Sequence, residues 1–211
     1  MSALRFSSLI ILFPILFAAC GRSELIRIRM LAPVNEDKKD HAIFTDTESL
    51  SFTPTITNKQ IGGSLYFLFK SIGLGYTTIT TKMEKADENL TEKTTLVTNF
   101  ADVAFGIGEN YSFMWGAGVL TGGKWETSLE YDSKTFNPKH NYLGGHSLFF
   151  VLGHHGFGFE TLLGYRTNSI KAEFEEINSS DIGKTGKDFT YESNIISLKT
   201  SQVQLGIGFT F

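Results

Sequence analysis

The last eleven residues of the chain alternate strictly between apolar side chains and polar or small ones. One face carries Val203, Leu205, Ile207, Phe209 and Phe211, and the other carries Gln202, Gln204, Gly206, Gly208 and Thr210. Successive side chains of a β-strand point to opposite faces, so a period of two predicts a strand with one apolar face. A chain with such a segment needs an apolar surrounding on only one side of its sheet.

The same alternation recurs upstream and predicts eight strands. They lie near 24–32, 60–70, 72–83, 93–107, 111–125, 142–153, 157–174 and 194–211. Short connections are expected near 70–71, 108–110 and 153–156, and long polar ones near 33–58, 84–92, 126–141 and 175–193. An even number of strands, with short turns at one end and long loops at the other, is typical of barrels that span a bacterial outer membrane.

The composition agrees with a β-rich membrane protein. Glycine occurs 21 times, aromatic residues make up 13% and proline occurs only 4 times. Beyond the first twenty positions no apolar run has the roughly 20 residues that a membrane-spanning helix needs. Backbone groups in lipid need internal partners, so a spanning sheet must close on itself. We therefore expect an all-β fold over residues 23–211: a transmembrane antiparallel up-and-down β-barrel of about eight strands, in contact with membrane lipid.

The first twenty residues have the layout of an export signal. Arg5 precedes an apolar stretch over 6–17, and Ala18 and Ala19 lead to Cys20, the single cysteine. This predicts a signal peptide over 1–19. The end of the segment resembles a bacterial lipobox, which implies a lipid anchor at Cys20 and a mature N-terminus at 20–22. Phe17 departs from that pattern, which prefers an aliphatic side chain there, so ordinary cleavage nearby is the alternative.

Five charged residues fall on the faces expected to point into the barrel. They are Arg27, Arg29, Asp102, Glu160 and Arg166. Counted from the turns, the first four come at similar heights, whereas Glu160 and Arg166 are about 20 Å apart on one strand and need other partners. Buried charges are costly unless they are paired, so a plug of ion pairs is expected. The alternative is a gate or filter in a narrow pore.

Small residues recur on the same inward faces. Gly-x-Gly pairs stand at 73/75, 106/108, 116/118, 156/158 and 206/208. No helix follows them and no third glycine is suitably spaced, so they do not form a dinucleotide-binding loop. They are expected to let the strands bend and the interior narrow.

Aromatic residues are expected at both membrane interfaces, where amphipathic rings are favoured. The predicted girdle at the long-loop end contains Trp125, Tyr131 and Tyr142. The predicted girdle at the short-turn end contains Phe67, Phe69, Tyr111, Phe157, Phe209 and Phe211.

Residues that carry catalysis are present but poorly arranged. His146 and Ser147 are adjacent on a strand and point to opposite faces, whereas nucleophilic catalysis needs them within hydrogen-bond reach. His154 and His155 lie in a predicted turn without further ligands at metal-binding spacing. We expect no enzyme, no metal and no cofactor. The net charge of −3 gives no footprint for a nucleic acid.

Two resemblances refine this prediction. The terminal Phe211, with apolar residues at every second position before it, resembles the C-terminal signal of outer-membrane barrels, which implies recognition by the barrel-assembly machinery. The segments 26–29, 57–65 and 72–76 (IRIR, TNKQIGGSL and IGLGY) resemble the OmpW family of small outer-membrane barrels. OmpA- and OmpX-like barrels share the architecture and fit nearly as well. The OmpW resemblance implies eight strands around a narrow hydrophobic channel that opens laterally for small apolar solutes. No binding residue of that family can be transferred.

Three functions are compatible with these patterns. The first is a barrel of the bacterial outer membrane, structural or allowing passage of small, apolar solutes. The second is a surface-exposed interaction or adhesion protein that acts through the loops 84–92, 126–141 and 175–193. The third, least supported by the residues, is a lipid-modifying outer-membrane enzyme. The oligomeric state is left open by the sequence.

Overall fold

A computed structural model of the chain describes residues 26–34, 55–86, 90–131, 134–137, 139–156, 158–174 and 195–211. The predicted signal peptide over 1–19, the segment 20–22 with Cys20, and the loop 175–193 lie outside the described residues. In the part of the chain that is described, no helix is long and apolar enough to cross a membrane.

The described residues form nine β-strands. They are β1 (Ile26–Pro33), β2 (Thr55–Phe69), β3 (Ile72–Ala86), β4 (Leu90–Ile107), β5 (Tyr111–Tyr131), β6 (Lys134–Phe136), β7 (His140–Gly156), β8 (Phe159–Phe174) and β9 (Ile195–Thr210). Each of the eight predicted segments falls on one of the eight long strands. The ninth, β6, has three residues and extends the edge of β5.

The eight long strands close into an antiparallel up-and-down barrel. Their order is β4-β3-β2-β1-β9-β8-β7-β5, and β4 also pairs with β5, which completes the ring. The first and last strands join side by side: the Ile26 N–H donates to the Phe211 carbonyl at 3.2 Å and the Phe211 N–H donates to the Ile26 carbonyl at 2.9 Å. The predicted fold class is therefore confirmed.

The two ends of the barrel differ in their connections. At one end, here called the turn end, lie residues 26 and 211 and the short links β2–β3, β4–β5 and β7–β8. The opposite end is called the loop end. Two of the four long loops expected there, 84–92 and 126–141, were wrong. β3 continues to Ala86 and β4 begins at Leu90, and β5, β6 and β7 occupy most of 126–141. These segments are mostly polar and charged, so a strand ladder can continue in polar surroundings above an apolar belt.

The barrel carries large apolar side chains on the outside and charged side chains inside. Leu74 is 68% exposed and Val119 is 60% exposed, whereas Arg29, Arg166 and Gln202 are fully buried inside. In a water-soluble protein the opposite arrangement would be expected. An apolar outer surface around a polar interior is the layout of transmembrane barrels.

A β-bulge in β5 reverses the sidedness of its loop-end half. The pairing with β4 steps from Phe100–Leu120 to Asn99–Gly122, so Thr121 is the extra residue. A bulge inserts one residue and shifts every later side chain to the other face. Trp125 therefore points into the barrel and is 1% exposed, and its predicted place in the outer aromatic girdle was wrong. Tyr142, Phe67, Phe69, Tyr111, Phe209 and Phe211 are exposed. Phe157 and the Tyr131 side chain lie outside the described part.

The contact between the neighbouring strands β5 and β7 is incomplete. The β5–β7 pairing ends at Val119–His146, although β5 continues to Tyr131 and β7 begins at His140. Beyond that point the Trp125 N–H donates to the imidazole Nε2 of His140 at 3.1 Å instead of to a β7 carbonyl. We call this stretch the seam: residues 120–128 of β5 face residues 140–145 of β7 there without pairing to them. It lies in the loop-end half of the barrel wall.

Candidate functional site

The interior of the barrel is layered, and the first layer is an ion-pair cluster near the turn end. Arg29 donates from Nε and Nη2 to the two carboxylate oxygens of Glu160, both at 2.8 Å. Ser112 accepts a bond from Arg29 at 2.7 Å and donates to Glu160 at 3.1 Å. Arg27 lies 3.8 Å from Glu160 and donates to the Gly108 carbonyl at 2.8 Å. We call Arg27, Arg29, Ser112 and Glu160 the turn-end layer.

Apolar side chains fill the next level of the interior. Leu162 lies two residues beyond Glu160 on β8, and therefore points to the same face one step further along the barrel. The first apolar cluster consists of Leu31, Tyr66, Leu68, Ala104, Met114, Phe149, Val151 and Leu162. These residues come from six of the strands, β1, β2, β4, β5, β7 and β8. Side chains thus meet across the barrel, as expected for one of only eight strands.

A second ion pair forms the middle layer. Arg166 donates from Nη1 and Nη2 to the two oxygens of Asp102, each at 2.9 Å. Asp102 also accepts a hydrogen bond of 2.6 Å from Thr77. Ser147 accepts from Arg166 Nη2 at 2.5 Å and Tyr66 accepts from Nη1 at 3.1 Å. We call Arg166, Asp102, Tyr66, Thr77 and Ser147 the middle layer.

Every donor of the Arg166 guanidinium has a partner. Its Nε donates to the Asn168 side chain at 3.1 Å, which adds to the bonds of the two terminal nitrogens. The rings of Phe100 and Phe149 contact the guanidinium at 4.8 and 5.3 Å from their centroids. Aromatic faces stabilise a cation, most strongly where water is excluded. The middle layer is therefore a dry, fully bonded ion pair, and its geometry favours a fixed structural element.

The structure divides the predicted lumen charges into two groups. Arg27, Arg29 and Glu160 meet in the turn-end layer. Asp102, expected at the same height as those three, pairs instead with Arg166 in the middle layer. Counting residues from the turns missed this because strands tilt across a barrel, so equal counts on distant strands give different heights.

Above the middle layer lies a second apolar cluster. It contains Met83, Leu96, Phe100, Trp125, Ile170, Ala172, Phe174 and Leu198. Leu120 and Leu143, which are partly buried, pack against it from the two sides of the seam. Apolar side chains therefore line the interior beside the unpaired part of β5 and β7, together with the buried hydroxyls of Thr94 and Thr127. This cluster and the seam form a second candidate site.

Glycines provide the room that the two ion-pair layers occupy. A methyl group at Gly118 would collide with the Asp102 carboxylate and lie 2.7 Å from the Ser147 hydroxyl. A methyl group at Gly208 would lie 2.6 Å from Glu160 Oε2. Gly118 and Gly208 thus lie directly under charged side chains of neighbouring strands. Their role extends the bending expected from the sequence, because they also admit the ion pairs.

The residues considered for catalysis are not brought together. Ser147 is buried and bonded to Arg166, whereas the His146 side chain is exposed on the other face. His154 contacts the Tyr111 ring on the outer surface, with centroids 4.8 Å apart. Among the described residues no group of three potential ligands is placed to hold a metal ion.

Sequence reasoning missed four polar residues that complete the two layers. Tyr66, Thr77, Ser112 and Ser147 all bond to a charged side chain inside the barrel. Each occupies an inward position of the alternation, so a signal existed. Strand parity shows which side chains face inward, but it does not show which strands bring them to the same height.

Comparisons with known proteins add little to this geometry. No protein-family model and no curated protein matches the chain. Among solved structures, it is similar to the crystal structure of the outer membrane protein OprG from Pseudomonas aeruginosa, with 9% sequence identity and a TM-score of 0.38 over 90% of this chain and 98% of that one. At this identity and score, the description of the fold rests on the strand pairing of the chain itself.

Proposed function

We propose that the chain is an integral protein of the bacterial outer membrane. The observation that carries the proposal is a closed barrel with exposed apolar side chains outside and ion pairs inside. Lipid favours both surfaces, because hydrocarbon accepts the apolar belt and each of the eight long strands pairs with both of its neighbours in the ring. By the same principle, the short turns face the periplasm and the loop end faces outward.

Gel mobility and fractionation test the location. A folded barrel resists detergent until it is boiled, so the protein is expected to migrate faster before boiling than after it. It should enter the outer-membrane fraction, and protease added to intact cells should cut at the loop end only. A protein that shows no mobility shift and stays in the soluble fraction is incompatible with the proposal.

Within that membrane, we propose that the barrel is not an open aqueous pore. Both ion-pair layers and both apolar clusters meet across the interior, and the middle layer has a partner for each guanidinium donor. Planar-bilayer recordings should show little conductance. The variant Glu160→Gln should leave it unchanged if the turn-end layer is a structural plug, whereas a gate would respond to the lost charge.

The same proposal includes an exchange of small apolar molecules at the loop end. The support is the seam: it is a part of the wall without β5–β7 pairing, and Leu120 and Leu143 lie between it and the second apolar cluster. A molecule in the outer leaflet would reach that cluster by displacing side chains, without breaking a strand pair. The ion-pair layers below would stop charged solutes.

Tryptophan fluorescence tests this exchange. In the variant Trp115→Phe, Trp125 in the second apolar cluster is the remaining tryptophan, and bromobenzene serves as a small apolar quencher. We expect Leu143→Ala to increase quenching, because it removes a side chain between seam and cluster. The control is Leu148→Ala, a lipid-facing site within the paired part of β7. Equal quenching in both variants contradicts entry through the seam.

The N-terminal prediction also stays a proposal. We propose that residues 1–19 direct export and that Cys20 is lipidated, on the basis of the sequence pattern. Labelling cells with radioactive palmitate tests it, since Cys20→Ser should abolish incorporation. Label that persists in this variant would place the modification elsewhere.

A further inference from the structure

A cationic cleft lies beside the seam, and its charged lining residues are exposed. Its volume is about 600 Å³, and it lies between the loop-end parts of β4 and β5 and the start of β7. Its lining residues are Lys93, Thr95, Lys124, Trp125, Glu126, Thr127, Ser128, Asn137, Lys139 and His140. Three lysines stand against one glutamate, which gives an excess of two positive charges (3 − 1, with histidine neutral).

The acidic neighbours do not neutralise this cleft. Lys124 contacts Glu126 at 2.5 Å and Lys93 lies 3.8 Å from Glu84, but all four side chains are more than half exposed. Exposed ion pairs of this kind contribute little and exchange partners easily. Hydroxyl and amide groups of Thr95, Ser128 and Asn137 add donors next to the lysines. The cleft thus offers the chemistry that recognises a phosphate group.

The cleft belongs to a wider pattern of outward-facing lysines, here called the lysine girdle or, in this subsection, the girdle. Six of the eight barrel strands carry one on the loop-end side of the apolar belt: Lys59, Lys82, Lys93, Lys124, Lys171 and Lys199. On these strands, no outward position between the turn end and the lysine is charged. Each lysine is therefore placed where an uncharged surface gives way to polar surroundings. These lysine positions coincide with the headgroup region of one leaflet if the apolar belt lies in the bilayer.

We propose that the cleft binds a lipid phosphate monoester in the leaflet at the loop end of the barrel. Lys93, Lys124 and Lys139 contact the phosphate, and the acyl chains lie along the uncharged outer faces of β4 and β5 below it. The inference rests on the proposed membrane location. It adds one defined lipid site to a girdle that otherwise attracts headgroups only through unspecific charge.

Native mass spectrometry of the purified barrel tests the site, with phosphatidic acid in phosphatidylcholine nanodiscs as the probe. We expect one phosphatidic acid to be retained at physiological ionic strength, where exposed charges are screened beyond about 8 Å. The triple variant K93Q/K124Q/K139Q should lower retention by about tenfold or more, because it removes three charge-assisted contacts. The matched control K59Q/K82Q/K171Q removes the same charge from the girdle outside the cleft and should change retention less than twofold (about the spread expected for exposed charges).

Three results would overturn the proposal. Equal losses in the two triple variants would show unspecific attraction by the girdle. Retention of phosphatidylcholine as strong as that of phosphatidic acid would remove the phosphate from the recognition. Inorganic phosphate that displaces the lipid at equal concentration would identify a free-anion site.

A measurement on the unchanged protein avoids variants that fail to fold. Phosphatidic acid should protect Lys93, Lys124 and Lys139 from acetylation more than Lys59, Lys82 and Lys171, as read by peptide mass spectrometry. Equal protection at all six lysines contradicts a defined site. The mobility shift on boiling is recorded in parallel, so a chain that is no barrel at all is distinguished from a barrel without this lipid site.

Discussion

The two ion-pair layers of the interior both hold buried charged side chains, but they pair and hydrogen-bond them differently. In the middle layer, one arginine meets one aspartate, and all guanidinium donors have acceptors between two aromatic rings. In the turn-end layer, two arginines share Glu160, and Nη1 of the fully buried Arg29 has no hydrogen-bond partner among the described residues. The middle layer pairs its charges one to one and is saturated, whereas the turn-end layer sets two arginines against Glu160 and has one Arg29 donor without a hydrogen-bond partner among the described residues.

The difference indicates which of the two layers contributes more to the stability of the barrel. The Arg166–Asp102 pair lies between two apolar clusters, and no guanidinium nitrogen of Arg166 lacks an acceptor. An unsatisfied donor near the barrel end is satisfied most simply by water from that end. We therefore assign the middle layer to the stability of the barrel, and we expect the turn-end layer to tolerate change better.

The largest effect is expected when the middle pair is broken. Asp102→Ala leaves the Arg166 charge buried without a counter-ion and should lower the free energy of unfolding by about 3–5 kcal/mol. Urea unfolding in lipid vesicles, followed by the mobility shift, measures the loss.

A double variant shows whether that loss comes from the orphaned charge. Replacing both partners by apolar residues, Asp102→Leu with Arg166→Met, removes the charge as well, so much of the stability should return. A double variant as unstable as Asp102→Ala would mean that the bonds of Arg166 to Ser147, Tyr66 and Asn168 matter more than its charge.

A smaller effect is expected in the turn-end layer. Glu160→Gln keeps the shape of the side chain but removes its charge, and water near the barrel end can solvate the arginines. We expect a loss of about 2 kcal/mol. If the same unfolding measurement gives a loss as large as for Asp102→Ala, the two layers are equally dry and the comparison fails.

The glycines under the pairs give the next effect. Gly118→Ala places a methyl group against the Asp102 carboxylate and should cost about 1–2 kcal/mol through displacement of the middle pair. The control is Gly122→Ala on the same strand, where the nearest atom to an added methyl group lies at 3.9 Å. Equal stabilities of the two variants would show that the middle pair has space to move.

The smallest effect is expected at Gln202, next to the middle layer. Its side chain is fully buried, and neither its amide nitrogen nor its oxygen has a hydrogen-bond partner in the described part of the chain. Gln202→Leu removes both unsatisfied groups and should raise stability by about 1 kcal/mol. A loss instead of a gain would indicate that an ordered water occupies the interior beside Gln202.

The alternation predicted most of the barrel because it records the two surroundings of each strand. Phe67, Leu74 and Leu205 face outward and Arg29 and Asp102 face inward, as the alternation requires. The sequence was less informative where a local irregularity intervened. Trp125 was placed on the wrong face because nothing in the stretch 119–125 marks Thr121 as the bulge rather than Gly122 or Gly123. Polar and charged strand ends were taken for loops because such residues are also typical of solvated segments.

The sequence predicted which charged residues face the interior, but not which of them pair with each other. Each of the five charged residues belongs to a single strand, so its inward position could be predicted from the alternation of that strand alone. Their pairing depends on strand tilt and register, which join residues 64 positions apart in the case of Arg166 and Asp102. The seam depends on where β5 and β7 cease to pair, and no residue type specifies that point.

By itself, therefore, the sequence determined that this protein is built of strands with one apolar face and one polar or small face, because a period of two recurs in so many segments. Only the tertiary structure decided which charges meet, that β5 and β7 are not paired along the seam, and that three lysines line one cleft. Those features arise between strands, where tilt, bulge and shear set the heights of side chains that are far apart in the chain.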